Sequence, residues 1–363
     1  MSILGLFSRN KLDLVGNSDG TMYRYDLGRT GFAKTEPLRK LQGQKWEYEC
    51  KSNIISSPVV SGGTLFLLSK DGCFHAIDVE NGKLKWKFTA KIEFSAGESS
   101  PAITDDIVYF MSEDYLYALD ANKGRVKWKF RTPNGGKACP IVYDKMVFFG
   151  CLGRFYAVGM TKGKEIWSAE ISENLVDAPA IDINNQLIWL TAGRNIFAFN
   201  LRTGIEQWRY DTRDFMTFSP SVYDGLVFVG AHDRTDLKIL EIAQGNVREF
   251  SLGAGLWSPV TLAYSQIYAN VYNVLEVWQL SRPSFEVNRM WYYRLSQGSF
   301  NTSPTVVNDI VYIGSDRYLY AIDATSRSEL WKHDVGESVV SPPLVNQRIV
   351  YFATYSGRII ALY

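Results

Sequence analysis

One segment indicates the fold of this chain: Ala76-Ile77-Asp78-Val79-Glu80-Asn81-Gly82-Lys83-Leu84-Lys85-Trp86. Its frame is an alanine, an aspartate two residues later, then a glycine and a tryptophan at intervals of four. The frame returns at Ala118–Trp128, at Ala157–Trp167 with Gly159 in the acidic position, at Ala198–Trp208 with Asn200 there, and at Ala321–Trp331 with Arg327 replacing the glycine. Self-similarity at a fixed period indicates a repeat architecture.

Two residue types mark the period independently. Most successive tryptophans of the series are 39–42 residues apart, and Phe250 occupies the midpoint of the one double gap; the series is Trp46, Trp86, Trp128, Trp167, Trp208, Trp291 and Trp331. Prolines preceded by a small residue run in phase with them, at Pro58, Pro101, Pro140, Pro179, Pro220, Pro259, Pro304 and Pro342. Eight copies of each mark predict eight units.

Each unit reads as four short strands, which we call A to D. In the unit that begins at Ser57, strand B is apolar throughout, and Asp71-Gly72 and Asn81-Gly82 predict the tight turns on either side of strand C. Proline cannot donate to a central ladder, so the proline-bearing strand A belongs at an edge, here the one that lines a central channel. Four-stranded units of about 40 residues predict an all-β fold, an eight-bladed β-propeller with four-stranded antiparallel blades.

The two ends of the chain predict how the ring closes. The last unit supplies strands A, B and C, at Ser341–Val345, Ile349–Ala353 and Arg358–Leu362, and then the chain stops. Gln44–Cys50, which carries Trp46, is the candidate for its missing strand D, so N- and C-terminal strands share one blade. The predicted organisation is a single domain over 1–363, with an atypical extension over 1–43 and eight blades over 44–363.

One predicted hairpin is additional to the eight predicted blades. Leu12–Gly16 and Met22–Asp26, around Asp19-Gly20, resemble a further B–C hairpin. It either packs outside the ring as extra strands or displaces the C-terminal pair. Three longer connections also depart from the repeat, at Leu27–Gly43, Ala231–Asp236 and Ser281–Asn288.

Composition narrows the functional classes. The formal net charge is +1, so no overall field favours nucleic acid, and the four scattered cysteines are typical of reduced thiols. The apolar run Ile3–Phe7 is too short for a signal-peptide core, and no apolar stretch is long enough for a membrane span. We therefore expect a monomeric cytoplasmic protein, or a periplasmic one if the N-terminus is not native.

The Ala-x-Asp-x-x-x-Gly-x-x-x-Trp frame resembles the repeat of the PQQ-type propellers. These include the quinoprotein alcohol dehydrogenases and the BamB-like proteins of outer-membrane assembly. The resemblance implies that the tryptophans dock between adjacent blades. The dehydrogenases carry a vicinal cysteine pair at the quinone, and this chain has no adjacent cysteines and is shorter, which implies no enzyme activity and no cofactor. The resemblance to BamB-like proteins implies a scaffold for protein partners, although their lipid-anchor cysteine is not found here.

Three candidate sites follow from the pattern. The residues that lead into the A strands face the channel mouth; they are Glu98, Lys137, Asp177, Thr217, Trp257 and Asn301. We expect a water-filled channel with no specific ligand there, and the alternative is that these residues hold a small ligand. His232, Asp233 and Asp236 are a weak candidate for a metal site, while His75 and His333 read as structural or surface residues. The basic D-strand faces Lys83–Lys87 and Arg125–Arg131 read as edge protection or as a surface for an acidic partner.

These observations favour a non-enzymatic scaffold that presents its loops and channel mouth to protein partners. A small-ligand binder or sensor is the first alternative. A quinone- or metal-dependent oxidoreductase is the second.

Overall fold

The computed structural model describes residues 20–54, 56–90, 99–136, 138–171, 178–216, 218–230, 236–242, 245–253, 255–256, 258–282, 284–296, 298 and 302–363. Its strands form eight sheets, in which A lies innermost and D outermost. The predicted eight-bladed all-β propeller is confirmed. Across the described ranges, no helix has the length and hydropathy needed to cross a bilayer.

The first four blades follow the predicted order without interruption. Blade 1 contains β3–β6, Val59–Ser61, Thr64–Leu68, Cys73–Asp78 and Leu84–Thr89. Blade 2 contains β7–β10, Ala102–Thr104, Ile107–Ser112, Tyr115–Asp120 and Val126–Arg131. Blade 3 contains β11–β14, Ile141–Tyr143, Met146–Cys151, Arg154–Gly159 and Glu165–Glu170. Blade 4 contains β15–β18, Ala180–Asp182, Leu187–Ala192, Asn195–Asn200 and Glu206–Asp211.

The remaining blades include both ends of the described chain. Blade 5 contains β19–β22, Ser221–Tyr223, Leu226–Val229, Asp236–Glu241 and Asn246–Ser251. Blade 6 contains β23–β26, Thr261–Ala263, Gln266–Val271, Val274–Ser281 and Glu286–Arg294. Blade 7 contains β27–β30, Thr305–Val307, Ile310–Ser315, Tyr318–Asp323 and Ser328–Asp334, with β1, Phe32–Ala33, added parallel to β27. Blade 8 contains β31–β33, Leu344–Asn346, Ile349–Ala353 and Arg358–Leu362, and β2, Gln44–Glu49.

Ring closure occurs in blade 8, as the two ends of the sequence predict. Strand β2 pairs antiparallel with β33, with Trp46 opposite Ala361. The backbone amides of Gln42 and Gly43 donate to the carbonyl of Tyr363 and continue this ladder to the last residue. The N-terminal strand is thus the outer strand of the C-terminal blade.

The repeat residues Asp and Gly have a local role in the C–D turn. The Asp78 carboxylate accepts from the amides of Glu80 and Asn81 at 2.9 and 3.2 Å, which fixes the turn. Gly82 follows with φ of 69°, a backbone conformation that glycine adopts without strain. A Cβ there would lie 2.8 Å from the indole of Trp46, so the absence of a side chain also lets the preceding blade approach.

The core lies between neighbouring blades rather than in one central cluster. Phe74 of blade 1 stacks on Phe110 of blade 2 with ring centroids 4.4 Å apart. Each sheet presents apolar side chains to both neighbours, which explains why the B strands are buried along their whole length. Indoles then tie the blades together: Trp86, Trp128 and Trp167 donate to carbonyls of the next blade, those of Ala121, Met160 and Leu201.

The hairpin predicted at the N-terminus can be checked only in its second half, because Leu12–Gly16 lies outside the described residues. The strand predicted at Met22–Asp26 is wrong: Met22 forms an isolated bridge with Ala102, and Tyr23–Asp26 form turns and bends. Neither alternative for the pair holds for Met22–Asp26, because they lie on the ring axis and the C-terminal strands keep their place in blade 8.

Candidate functional site: a filled axial channel

The channel of the ring is occupied by residues 20–33, which we call the axial segment. Six inner strands donate a backbone N–H to its carbonyls. The pairs are Val60 to Gly20, Ile103 to Thr21, Ile181 to Leu27, Val222 to Gly28, Leu262 to Thr30 and Val306 to Gly31, at 2.7–3.1 Å. Blades 1, 2, 4, 5, 6 and 7 therefore bind one short segment of chain.

Side chains of the axial segment reach the other two blades. Arg29 donates to the carbonyl of Pro140, which leads into blade 3, at 3.1 Å. The Tyr25 hydroxyl lies between the carbonyl of Pro343 and the backbone N–H of Val345 in blade 8, donating to the first and accepting from the second. All eight blades thus contact the axial segment through hydrogen bonds.

Two arginines of the axial segment are buried at the centre. Arg29 is fully buried, and its guanidinium donates to the carbonyls of Pro179, Pro140 and Tyr23. Arg24 donates to the carbonyls of Pro259 and Val260 in blade 6 and to that of Arg29 within the segment. Buried guanidinium groups need several acceptors, and the carbonyls of the repeated prolines supply them. The prolines therefore leave an acceptor, and no donor, at the start of each inner strand.

Asp26 provides the nearby negative charge. Its carboxylate accepts from the backbone N–H of Thr30 at 2.9 Å and from the Thr30 hydroxyl. Burial raises the pKa of Asp26, although these hydrogen bonds and the charges of Arg24 and Arg29 act in the opposite direction. A cavity of about 40 Å³ separates Asp26 from the A–B turns of blades 4 and 5, which is room for water rather than for a cofactor.

The expectation of a water-filled channel is wrong, because the axial segment fills it. The six residues predicted at the channel mouth all lie outside the described residues: Glu98, Lys137, Asp177, Thr217, Trp257 and Asn301. A ligand site formed by them stays a prediction. No signal in the sequence distinguished the axial segment from a strand, since Met22–Asp26 alternates as a strand does.

The candidate metal site lies only partly within the described residues. His232 and Asp233 lie outside the described residues, while Asp236 begins β21 and pairs with Ser251. Within the described part of the chain, no three His, Cys, Asp or Glu residues are grouped as a metal would require. His75 is buried and bonded to the hydroxyls of Tyr48 and Ser69, and His333 is half-buried in β30.

The cysteines Cys50, Cys73, Cys139 and Cys151 are buried, and none of them forms a disulfide bond within the described part of the chain. Burial raises the pKa of Cys50 to about 12 and that of Cys151 to about 11, so both remain protonated at neutral pH. Neither is activated as a nucleophile.

Blades 5 and 6 replace an aromatic position by buried charges. Tyr117, Tyr156 and Phe197 occupy one position of strand C in blades 2 to 4, whereas blades 5 and 6 have Lys238 and Glu276 there. Lys238 pairs with Glu249 at 2.6 Å, and Glu276 pairs with Arg289 at 2.9 Å. Each ion pair joins strands C and D of one blade. The contact between blades 5 and 6 is still apolar and includes the edge-to-face pair of Phe250 and Trp278, with ring centroids 5.1 Å apart.

Three of the cations on the basic D-strand faces have partners within the molecule. Lys85 and Lys127 pair with Asp78 and Asp120, at 3.2 and 3.6 Å. Lys129 lies over the ring of Tyr115, 4.3 Å from its centroid. This geometry favours edge protection over a surface for an acidic partner.

A family model described as "Outer membrane protein assembly factor BamB" matches residues 42–129, 113–251 and 276–363. The chain belongs to this family. The matched segments cover most of the blades, and the PQQ-type repeat read from the sequence is confirmed. No curated protein sequence matches the chain.

Solved structures share the fold at low sequence identity. Quinohemoprotein alcohol dehydrogenase from Comamonas testosteroni has a TM-score of 0.79 and 14% identity, over 97% of this chain and 81% of that one. BamB from Moraxella catarrhalis has a TM-score of 0.72 and 13% identity, over 88% of this chain and 97% of that one. The computationally designed Ika8 protein has a TM-score of 0.75 and 15% identity, over 88% and 100%. At such identities the likeness concerns the fold alone, which an enzyme and an assembly factor share.

Proposed function

We propose that this protein is a non-enzymatic scaffold that binds protein partners through one face of the propeller. The observation that carries the proposal is the filled axis. Small-molecule sites are concave and enclose most of the ligand, and the axis is the place where eight blades could enclose one. Here the chain's own residues 20–33 occupy that place. The binding surface is then left to the loops.

We assign the partner surface to the face that carries the B–C turns, which we call the B–C face. Four large apolar side chains lie there between 46 and 69% exposed: Leu152, Phe215, Tyr272 and Tyr355. They come from turns of blades 3, 6 and 8 and from the connection after blade 4. Large apolar side chains at loop tips of a rigid scaffold are typical of protein-binding surfaces. The family description, which concerns assembly of outer membrane proteins, also supports a protein partner over a small substrate.

A capture experiment with face-specific variants tests the proposal. The full chain and the triple variant Phe215→Ser, Tyr272→Ser, Tyr355→Ser are compared for proteins retained from native lysate, by quantitative mass spectrometry. Ile205→Ser, which changes an exposed apolar residue at a C–D turn on the opposite face, is the matched control. We expect the triple variant to lose partners that both the wild type and the control retain. Equal retention by all three would contradict the assignment of this face.

The two alternative functions, an enzyme and a small-ligand binder, are tested on the same purified protein. Pyrroloquinoline quinone, calcium and a panel of common metabolites are added, and the melting temperature is measured. A ligand that binds only the folded state raises this temperature, and the rise continues with the logarithm of the ligand concentration above Kd. We expect no rise. A concentration-dependent rise with the quinone would contradict the non-enzymatic proposal.

A further inference from the structure

We infer that the axial channel is a peptide-binding site for a turn-forming segment carrying two arginines in the spacing Arg-x-x-x-x-Arg, and that residues 20–33 are its occupant in cis. The inference is independent of the B–C face. It assigns recognition to the channel itself, so the segment should also bind when it is no longer covalently attached to the ring.

The backbone of the channel presents a complete set of donors for such a peptide. Six inner-strand amides donate to carbonyls near both ends of the segment, those of Gly20, Thr21, Leu27, Gly28, Thr30 and Gly31. The segment ends in β1, which joins blade 7 as an added parallel strand, with Phe32 opposite Val306. Addition of a peptide strand to a sheet edge is a known mode of peptide recognition, in which main-chain bonds give affinity. Here blade 7 binds β1 in this way, and blades 1, 2, 4, 5 and 6 each add one backbone hydrogen bond to the rest of the segment.

The arginines give the site its chemical preference. Arg29 joins blades 3 and 4 by donating to the carbonyls of Pro140 and Pro179. Arg24 makes the equivalent contacts in blade 6, with the carbonyls of Pro259 and Val260. A planar guanidinium with five donors can serve several carbonyls, which a lysine ammonium with three cannot reproduce in the same geometry. The ligand class is therefore arginine-bearing rather than generally basic.

Close approach adds a requirement for glycine. A Cβ on Gly28 would lie 2.3 Å from the carbonyl oxygen of Val222, and one on Gly31 would lie 2.5 Å from the Thr261 hydroxyl. Gly31 also has φ of 77°. The glycine directly before the second arginine is thus part of the recognised motif. Its side of the peptide touches the backbone of blade 5.

The attachment of the segment to the ring is exposed where it can be cut. Arg39 and Lys40 are exposed, between buried Leu38 and β2. A protease site can be inserted between Lys40 and Leu41 in the full chain. Cleavage there breaks the covalent link between residues 1–40 and the ring, at a point outside the axial segment. Cleavage thereby converts the occupant from a tethered to a free ligand.

The experiment follows exchange after this cut. A fluorescent peptide of residues 20–40 is added to the cleaved chain, and its binding is measured by anisotropy and by co-elution. We expect the peptide to replace the native fragment, and the same peptide with Arg24→Ala and Arg29→Ala to bind at least about tenfold more weakly. Equal binding of the two peptides, or no exchange into a ring that keeps its circular dichroism, would overturn the inference. Unfolding of the ring that excess peptide does not prevent would also overturn it.

An uncut variant provides a second measurement. Gly28→Val is expected to expel the segment in the full chain, so that this variant binds the fluorescent peptide while the wild type, whose site is filled, does not. Gly159→Ala is the matched control, because Gly159 has no left-handed φ and a Cβ there meets nothing closer than 3.7 Å. Peptide binding by the control equal to that of Gly28→Val would contradict the inference. If Gly28→Val does not fold, the cleaved chain still decides the question.

Discussion

The contact between blades 3 and 4 and the contact between blades 7 and 8 have the same geometry but different origins. Trp167 donates to the carbonyl of Leu201, one residue past the C strand of blade 4, at 3.0 Å. Trp331 also donates at 3.0 Å, but to Leu38, in the connection that precedes β2. Blade 8 has no continuous C–D turn, because its C and D strands are the two ends of the described ring. The N-terminal connection supplies the acceptor that the turn would have supplied.

The surroundings of the two indoles agree as closely. Both tryptophans are 8% exposed, and each packs against an aromatic ring 5.9 Å away at an angle of 51°, Phe148 in one case and Tyr312 in the other. The repeat therefore encodes the donor, whereas the backbone acceptor can come from a C–D turn or from the N-terminal connection. We expect the closing contact to be as strong as an internal one.

The largest expected effect comes from removing either indole. Trp167→Ala and Trp331→Ala should each lower the free energy of unfolding by about 3–5 kcal/mol, because a large buried ring is lost and a cavity remains. Denaturation with urea measures both. Values that agree within about 1 kcal/mol would sharpen the comparison. A cost for Trp331→Ala far below that of Trp167→Ala would show that the closing contact is weaker.

The other contact of blade 8 should be sensitive to pH. Strand β2 meets blade 1 through Tyr48, whose hydroxyl bonds to His75 at 3.1 Å. Burial, and then the Lys87 cation, lower the pKa of His75 to about 4, so it is neutral in the folded state. The unfolded chain takes up this proton near pH 6.5, so stability present above that pH is lost as the pH falls towards 4, by up to about 3 kcal/mol.

Stability curves of wild type and His75→Gln between pH 7 and 4 measure this contribution. We expect the variant to lose less stability over that range. The equivalent position in blade 3 is Tyr156, and Tyr156→Phe should leave the slope unchanged. Parallel stability curves for wild type and His75→Gln would show that His75 makes no such pH-dependent contribution.

The glycine beneath the indole should distinguish regular from irregular contacts. Gly204→Ala places a Cβ 2.5 Å from the Trp167 ring at φ of 69°, and should cost about 2 kcal/mol. Arg327 holds the same position in blade 7 with φ of 61°. Arg327→Gly should relieve that strain and gain up to about 1 kcal/mol. Thermal unfolding of both variants checks the opposite signs, and a loss of stability in each would be evidence against the argument.

The smallest effect concerns a hydroxyl that shares the acceptor. Tyr312 donates to the Leu38 carbonyl at 3.0 Å beside Trp331, and Tyr109 donates to the Met160 carbonyl at 3.2 Å beside Trp128. Tyr312→Phe and Tyr109→Phe should each cost about 0.5–1 kcal/mol, because the carbonyl keeps one donor. A difference between them larger than this would mean that the two acceptors are not equivalent.

The blades could be predicted because their marks are local or periodic. The turn around Asp78 is fixed by hydrogen bonds within four residues. The outer strand of blade 8 is indicated by Trp46, which lies in phase with the other tryptophans of the series. The axial segment could not be predicted, because nothing within Met22–Asp26 distinguishes a strand from a segment held by distant blades. Arg24 bonds to carbonyls more than 230 residues away, and such contacts leave no periodic signal. The same holds for Leu38, whose role depends on where blade 8 is interrupted.

Hydrogen exchange at the inner strands is the most direct test of whether the chain's own residues 20–33 fill an eight-bladed ring. The amides to follow are Val60, Ile103, Ile181, Val222, Leu262 and Val306. We predict protection comparable to that of the buried B strands, because each of these amides has a carbonyl partner in the axial segment. Exchange of these six amides at the rate of exposed turns, while the B strands stay protected, would contradict it.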